Sequence, residues 1–162
     1  MGTPADGRSP TNAMNPLYWL GWIGFRLFFA IYFRRRIEGA ENVPKTGPVL
    51  FASNHASFLD PPLVGSSVRR QIHYLARDTL FTVPLFGWVL RQVNSVPVDR
   101  EGGGASGLKA VLDTLNNGHP MILFPEGTRT KDGNLQAARS GIGLAVIKTT
   151  ATVVPVLILG SF

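Results

Sequence analysis

Beyond Ile37, short apolar runs alternate with longer mixed segments, and turn-forming glycines, prolines and asparagines separate them. Of all the features of the sequence, this alternation limits the possible folds most strongly. Strands that alternate with amphipathic helices along the chain are typical of an α/β domain. The apolar runs predict strands over residues 49–53, 72–76, 95–98, 121–124 and 153–159. The mixed segments predict helices over residues 61–68, 84–92, 105–116 and 141–149.

The length of the chain indicates one domain preceded by an N-terminal extension. With 162 residues, it is long enough for one domain with a core and short for two. Residues 1–15 are rich in Gly, Pro, Thr and Asn and predict a flexible tail. Residues 37–162 predict the folded domain. Since 44% of the residues are hydrophobic, a disordered chain is excluded.

Charge and cysteine content narrow the function further. Sixteen basic residues stand against ten acidic ones, which gives a formal net charge of +6, and twelve of the sixteen are arginine. The planar guanidinium group suits phosphate in nucleic acids, lipid headgroups or small substrates. We expect no nucleic-acid partner, because basic residues do not interleave with aromatic ones outside the N-terminal segment. The sequence has no cysteine, which excludes disulfides, thiolate zinc sites and cysteine nucleophiles.

Residues 17–33 form an apolar, aromatic-rich segment with one charge, Arg26, and run into three arginines at 34–36. As a helix this segment reaches about 26 Å, slightly short of a hydrocarbon core of about 30 Å. A basic cluster directly after an apolar helix is typical of membrane association and favours the cytoplasmic side. We therefore predict a membrane-associated helix over residues 16–36. The alternatives of a spanning helix, an interfacial helix and a buried helix of a soluble fold remain open.

The first candidate site follows the strand predicted at 49–53, where His55 precedes Asp60 by five residues. A histidine in a loop after a strand titrates near neutrality and opens onto a cleft. It takes a proton from a hydroxyl more effectively when a carboxylate holds its other ring nitrogen. On a helix the two side chains would point about 140° apart. We therefore expect His55 in a turn before the helix, with Asp60 bonded to its ring.

A second candidate site, the run Phe-Pro-Glu-Gly-Thr-Arg at 124–129, follows another predicted strand. Gly127 lets the backbone approach a ligand closely, Thr128 adds a hydroxyl, and Arg129 adds a cation that binds through two nitrogens. Glu126 is expected to orient an arginine or to accept a hydrogen bond from a substrate hydroxyl. Main-chain donors near Gly127 are expected to stabilise an oxyanion. The run predicts an oxyanion or phosphate cradle; the alternative is a turn with a surface arginine.

Asn-His-Ala-Ser-Phe-Leu-Asp at 54–60 and Phe-Pro-Glu-Gly-Thr-Arg-Thr at 124–130 resemble the first and third signature blocks of the glycerolipid acyltransferases, specifically the 1-acylglycerol-3-phosphate acyltransferase family. The resemblance covers residues 39–159 and implies an α/β fold with a mixed sheet flanked by helices. It also implies that His55 is the general base and that Asp60 supports it.

Further residues acquire roles through the same resemblance. Residues 94–100 fit the second block, whose final Arg100 is implied to bind glycerol phosphate together with Arg129. The fourth block, at 153–156, is implied to line the acyl or acceptor site, and Arg139 is implied to lie near it. No metal ligand is implied. The full set of expected substrate-binding residues is Arg100, Glu126, Gly127, Thr128, Arg129 and Arg139.

The resemblance implies an acyltransferase of phospholipid biosynthesis. It would move a fatty acyl group from acyl-CoA or acyl carrier protein to the free hydroxyl of 1-acylglycerol-3-phosphate, lysophosphatidic acid, and form phosphatidic acid. No cofactor besides the acyl donor is implied, and the expected location is the cytoplasmic face of the cell membrane, with membrane lipid as a partner. Family members usually continue past the fourth block, so a chain that stops at Phe162 is expected to be a C-terminally truncated or minimal version.

Three alternatives stay open. The acceptor is another lyso-lipid, the chain is a non-catalytic protein that binds anionic lipid, or it is a metal-dependent hydrolase that uses His55, Asp60 and Glu126. Formation of a diacyl product separates the acyltransferases from the binding protein, and activity that a chelator does not affect excludes the hydrolase.

Overall fold

Strands and helices alternate along the folded chain, as the apolar pattern predicts. The computed structural model describes residues 14–99 and 104–162. The strands are β1 (Val49–Ser53), β2 (Tyr74–Arg77), β3 (Ser95–Val98), β4 (Met121–Leu123) and β5 (Thr152–Val156). The α-helices are α1 (Pro16–Tyr32), α2 (Asp60–Gly65), α3 (Pro84–Gln92), α4 (Ala105–Asn116) and α5 (Gly141–Ile147). Short 3₁₀ turns cover Ala40–Asn42 and Asp78–Thr82. Apart from its last two residues, the predicted tail at 1–15 lies outside the described residues, as does Arg100.

The strands form a three-stranded sheet with β1 at its centre and a two-stranded sheet that lies beside it. β4, β1 and β5 are neighbours in that order, and Leu50 of β1 lies opposite Met121 on one side and Val153 on the other. β2 pairs with β3. The two sheets are joined at His73. Its main-chain N–H donates to the Pro120 carbonyl oxygen at 2.9 Å, and its carbonyl oxygen accepts from the main-chain N–H of Ile122 in β4. The resulting strand order is β3-β2-β4-β1-β5.

The expected mixed sheet is wrong, because every described strand pair is parallel. A helix lies between each strand and the next, with α2, α3, α4 and α5 following β1, β2, β3 and β4. Such a helix returns the chain to the edge where the preceding strand began, so the next strand runs in the same direction. As a consequence, the carboxyl ends of all five strands lie at one edge of the sheet.

Apolar clusters cover both faces of the sheet, since successive strand side chains point to opposite faces. On one face, Phe51 packs with Val64 of α2. On the other face, Leu50 packs with Val111 of α4 and Ala145 of α5. The sheet is therefore buried between a layer that contains α2 and a layer that contains α4 and α5.

The N-terminal helix α1 packs against the α2 layer along one side only. Asn15 caps the helix by accepting a hydrogen bond from the main-chain N–H of Tyr18 at 2.7 Å. The Tyr18 hydroxyl accepts from the main-chain N–H of Ile72, and the Trp22 indole donates to the Val68 carbonyl oxygen at 2.8 Å. Among the residues that the structure describes, no helix combines the length and the apolar character needed to cross a bilayer.

Candidate active site

Two loops from neighbouring strands meet at the carboxyl edge of the sheet. Because β1 and β4 are adjacent and parallel, residues 54–60 and 124–130 leave the sheet at the same edge. The main-chain N–H of Thr130 donates to the carbonyl oxygen of His55 at 2.8 Å and ties the loops together. The two segments identified in the sequence thus form one site.

The His55 and Asp60 side chains form the predicted pair, which is called the dyad below. Nδ1 of His55 lies 2.9 Å from Oδ2 of Asp60. His55 is in the loop after β1, and Asp60 is the first residue of α2, which is the turn geometry that the spacing requires. The same carboxylate oxygen accepts from the main-chain N–H groups of Ala56 and Ser57, each at 2.7 Å. The Asp60 side chain is fully buried, whereas 18% of the His55 side chain is exposed.

The ionisation of Asp60 follows from these contacts. Burial alone would raise the pKa of Asp60, but the hydrogen bonds from His55, Ser57 and Ala56 together outweigh burial and hold the pKa below its usual value. The carboxylate is therefore charged at neutral pH and accepts the Nδ1–H of the imidazole. Nε2 is then the ring nitrogen that can take up a proton.

Phe124 packs on the histidine, and Asn54 anchors the loop that carries it. The Phe124 ring stacks on the imidazole, with centroids 3.9 Å apart and planes 18° apart. Asn54 donates from its side-chain nitrogen to the Ile158 carbonyl oxygen at 2.9 Å, and its side-chain oxygen accepts from the Ile158 N–H at 2.7 Å. Sequence reasoning missed both roles, and the only signal was their place inside the two blocks.

Glu126 makes two main-chain contacts that the sequence did not predict. Its side chain is buried, with 6% exposed. Oε1 accepts from the main-chain N–H of His55 at 3.0 Å, and Oε2 accepts from the main-chain N–H of Gln136 at 3.3 Å. Since both oxygens are bonded to the backbone, the carboxylate holds three segments of the chain together.

Gly127 is required by the conformation of its loop. Its φ is +71°, in the left-handed region that favours glycine, and a Cβ at this position would lie 2.6 Å from Nε of Arg139. Its N–H donates to the Phe124 carbonyl oxygen at 2.9 Å and closes the turn. The Gly127 N–H is therefore engaged within the protein, and the expected stabilisation of an oxyanion falls to other main-chain donors near Gly127.

Two arginines lie at the exposed rim of the site. The Arg129 guanidinium carbon lies 3.5 Å from the centroid of the Phe58 ring, which is 78% exposed. The Arg139 side chain lies against Gly127, and its main-chain N–H donates to the Pro125 carbonyl oxygen at 2.8 Å. Thr128 is exposed in the same turn. The structure thus brings together all the predicted site residues that it describes, and Arg100 is the one that lies outside the described part.

A groove of about 690 Å³ lies between α1, α2 and the C-terminal segment. Its lining includes Ser57 and Leu59 from the loop that carries His55, Leu63 and Val64 of α2, and Phe29 of α1. Residues 154–162 form the opposite wall. Most of the lining is apolar, and the groove reaches the loop between His55 and Asp60.

The other two histidines lie together, away from the dyad. The His73 and His119 rings are 4.8 Å apart where β2 joins the start of β4. Burial, with a smaller effect of His119, lowers the pKa of His73 to about 4. Within residues 14–99 and 104–162, no three His, Asp or Glu side chains are grouped so that they could hold a metal ion.

The sequence matches one family model, described as Acyltransferase, over residues 34–159. A chloroplast 1-acyl-sn-glycerol-3-phosphate acyltransferase of Arabidopsis thaliana is 32% identical over 80% of this chain and 37% of its own length. A 1-acyl-sn-glycerol-3-phosphate acyltransferase of Bacillus subtilis is 33% identical over 60% of this chain and 49% of its own. A lyso-ornithine lipid O-acyltransferase of Pseudomonas aeruginosa is 29% identical over 96% of this chain and 57% of its own.

The fold also has a counterpart among solved structures. The crystal structure of the 1-acyl-sn-glycerophosphate acyltransferase PlsC from Thermotoga maritima aligns with a TM-score of 0.66 and 29% identity, over 86% of this chain and 54% of that one. The present chain therefore spans less than two thirds of the length of each of these relatives.

Proposed function

This chain belongs to the acyltransferase family, and from that membership we propose that it transfers a fatty acyl group from an acyl thioester to the free hydroxyl of 1-acylglycerol-3-phosphate, forming phosphatidic acid. The observation that carries the proposal is the hydrogen bond between His55 and the buried, charged Asp60. This pair is a general base beside two exposed arginines, which is what the attack of a phosphorylated alcohol on a thioester needs.

The reaction begins with proton transfer to His55. The acceptor hydroxyl gives its proton to Nε2 of His55 as its oxygen attacks the thioester carbonyl carbon. The imidazolium ion formed in this step is stabilised by the negative charge of Asp60. Phe124 on the ring face and Asp60 at Nδ1 fix the direction of Nε2, so little reorganisation is needed.

The second step expels the thiol. The tetrahedral intermediate collapses, the carbon–sulfur bond breaks, and the leaving thiolate takes the proton back from the imidazolium. The products are the ester and the free thiol, and the enzyme returns to its starting state without a covalent intermediate. We propose acyl-CoA or acyl carrier protein as the donor, since both present a thioester.

The phosphate of the acceptor is proposed to bind at Arg129 and Arg139, with Arg100 as a further contact. The exposed guanidinium groups lie next to the two loops that carry the dyad. An arginine can hold phosphate through two parallel hydrogen bonds, which orients the acceptor as well as binding it. The apolar groove whose lining includes Ser57 and Leu59 suits the hydrocarbon part of a substrate.

The proposed location is the cytoplasmic face of the membrane. One side of α1 is exposed and apolar, with Leu20, Ile31 and Tyr32 each more than 60% exposed. Arginines follow the helix at 34–36. An apolar side next to a basic cluster fits a helix that lies in the interface of a bilayer with anionic lipid.

The test is a product assay with radiolabelled acyl-CoA or acyl carrier protein and lysophosphatidic acid. Wild-type protein should form phosphatidic acid, and His55→Ala should lower the rate by about a thousandfold. His119→Ala, a histidine away from the dyad, is the matched control and should keep near wild-type activity. Full activity of His55→Ala refutes the general-base role. Absence of product from wild type favours the alternative of a non-catalytic lipid-binding protein. Loss of activity with a chelator favours the alternative of a metal-dependent enzyme.

A second acceptor class is supported by the similarity to a lyso-ornithine lipid O-acyltransferase, which extends over 96% of this chain. An ornithine headgroup carries no phosphate. If the acceptor is such a lipid, Arg129→Gln should leave its acylation unchanged. If the acceptor is lysophosphatidic acid, the same substitution should raise KM about tenfold or more.

A further inference from the structure

A second apolar surface lies on α3 and the 3₁₀ turn before it, and the proposed reaction does not use it. Leu85 is 74% exposed, and Trp88, almost one helical turn further on, is 51% exposed. Leu80, Val83 and Phe86 add to the same exposed region. Large exposed apolar patches on soluble domains mark sites of interaction with partners or membranes.

The local packing holds this surface outward. Gly87 is buried, and a Cβ there would collide with the carbonyl oxygen of Phe81, so the helix lies directly on the turn. The Arg91 guanidinium lies 5.5 Å from the centroid of the Phe81 ring. With Gly87 against the turn, Leu85, Phe86 and Trp88 remain exposed to solvent.

The end of α3 contacts the start of α1. The side-chain nitrogen of Asn15, at the start of α1, donates to the Gln92 carbonyl oxygen at the end of α3 at 2.8 Å. Right-handed crossovers place α2 and α3 on the same face of the sheet, and α1 packs on α2. The exposed apolar sides of α1 and α3 therefore belong to one layer of the molecule.

The charges on this layer fit an anionic surface. Neither α1 nor α3 contains an acidic residue, whereas Arg91 is exposed on α3 and the arginines at 34–36 follow α1. The turn contains one acidic residue, Asp78, which accepts a hydrogen bond from the Thr79 main-chain N–H at 2.7 Å. Aromatic side chains flanked by arginine are typical of interfacial binding to anionic lipid.

We propose that Leu80, Val83, Leu85, Phe86 and Trp88 form a second membrane-contacting surface, which acts with α1 to dock the protein on an anionic lipid bilayer. This inference rests on the proposed membrane location. The turn at Asp78–Thr82 directly follows the carboxyl end of β2, at the same edge of the sheet as His55. Docking through α3 as well as α1 therefore brings that edge to the bilayer, from which a lyso-lipid can enter the site.

Vesicle sedimentation tests this surface. The probe is a set of vesicles with equal amounts of phosphatidylglycerol and phosphatidylcholine, and the variant is Leu85→Glu with Trp88→Glu. We expect its vesicle affinity to fall by about tenfold or more, because two apolar contacts are replaced by charges. Ile147→Glu, which alters a residue that is 83% exposed on α5 in the opposite layer, is the matched control and should bind like wild type.

Two readouts separate this proposal from the proposed reaction. Acyl transfer between substrates in detergent micelles should be unchanged in the α3 variant, because the proposed mechanism assigns no role to any residue of α3. In a second protein that carries Trp19→Phe and Trp22→Phe, brominated phosphatidylcholine should quench the fluorescence of Trp88, the only tryptophan left.

The outcomes divide clearly. Equal vesicle affinity of wild type and the α3 variant, or unquenched Trp88 in vesicle-bound protein, overturns the role of α3 and leaves the reaction untouched. Wild type that does not bind vesicles overturns both the α3 surface and the membrane location. A wild-type dimer in sedimentation that the α3 variant abolishes, without loss of vesicle affinity, assigns the surface to a second copy and also overturns the proposal.

Discussion

Asp60 connects the reaction to the backbone around it, since one oxygen accepts from a ring nitrogen and from two main-chain N–H groups. In Asp60→Asn the amide oxygen can still accept hydrogen bonds, but the negative charge that stabilises the imidazolium ion is lost. We expect the rate of acyl transfer to fall by about a thousandfold. Measurement of kcat with saturating donor and acceptor checks this, and a variant with wild-type kcat would contradict the role of the carboxylate.

Phe58 is predicted to position Arg129 for the phosphate of the acceptor. The guanidinium lies on the ring, and both side chains are exposed, so the contact contributes about 0.5–1 kcal/mol. Phe58→Leu should therefore raise KM for lysophosphatidic acid about two- to fivefold, with kcat unchanged. Phe58→Trp keeps an aromatic face and should restore the wild-type KM. A change confined to kcat would show that the ring acts elsewhere.

At the level of single residues, the sequence predicts contacts between near neighbours best. The pairing of His55 with Asp60 follows from five residues of spacing and a loop. The hydrogen bond between Glu126 and His55 joins positions that are 71 residues apart, and the one between Asn54 and Ile158 joins positions that are 104 residues apart. No local pattern determines such distant partners, because the sheet topology brings them together.

At the level of elements, the positions of strands and helices are predicted well and their ends less well. The strand predicted at 72–76 pairs regularly only from Tyr74, because His73 hydrogen-bonds toward β4 instead of β3. The strand predicted at 153–159 stops at Val156, and the Asn54 side chain then binds the main chain of Ile158. Apolar composition continues through these residues, so it gives no sign of the change of partner.

The close approach of α3 to its preceding turn leads to a stability prediction. In Gly87→Ala the added methyl group meets the Phe81 backbone, which cannot move as a side-chain end can. We expect the free energy of unfolding to fall by about 2 kcal/mol, the usual cost of overpacking. Urea unfolding monitored by circular dichroism measures the change.

Gly107→Ala is the matched control for this substitution. Gly107 lies inside α4, and a Cβ there would meet nothing within 4 Å. The free energy of unfolding should rise by about 0.5–1 kcal/mol, because alanine favours the helix. Equal effects of the two substitutions would show that α3 does not rest closely on the turn.

For the whole molecule, the parallel sheet places the site at one edge, and the hydrogen bonds of Asp60 at that edge make the stability of the fold depend on pH. The pKa of Asp60 is lower in the folded protein than its ordinary value of about 3.9, despite burial, because hydrogen bonds favour the charged form. A carboxyl group with a lowered folded pKa contributes stability that is fully present above the unfolded pKa. That contribution is lost as the pH falls through the folded pKa.

We therefore expect the free energy of unfolding to decrease as the pH falls below about 4, and the decrease to be shallower in Asp60→Asn. Urea unfolding at a series of acidic pH values measures both slopes. Asp132→Asn is the control, because hydrogen bonds from Asn134 and Thr130 also lower the pKa of Asp132, but this carboxyl group is exposed to solvent and its bonds are local. Its slope should stay close to that of wild type, since water screens an exposed carboxylate. Equal slopes for wild type and Asp60→Asn would mean that the bonds to Asp60 favour neither protonation state, and would remove the basis for a charged Asp60 as the partner of His55.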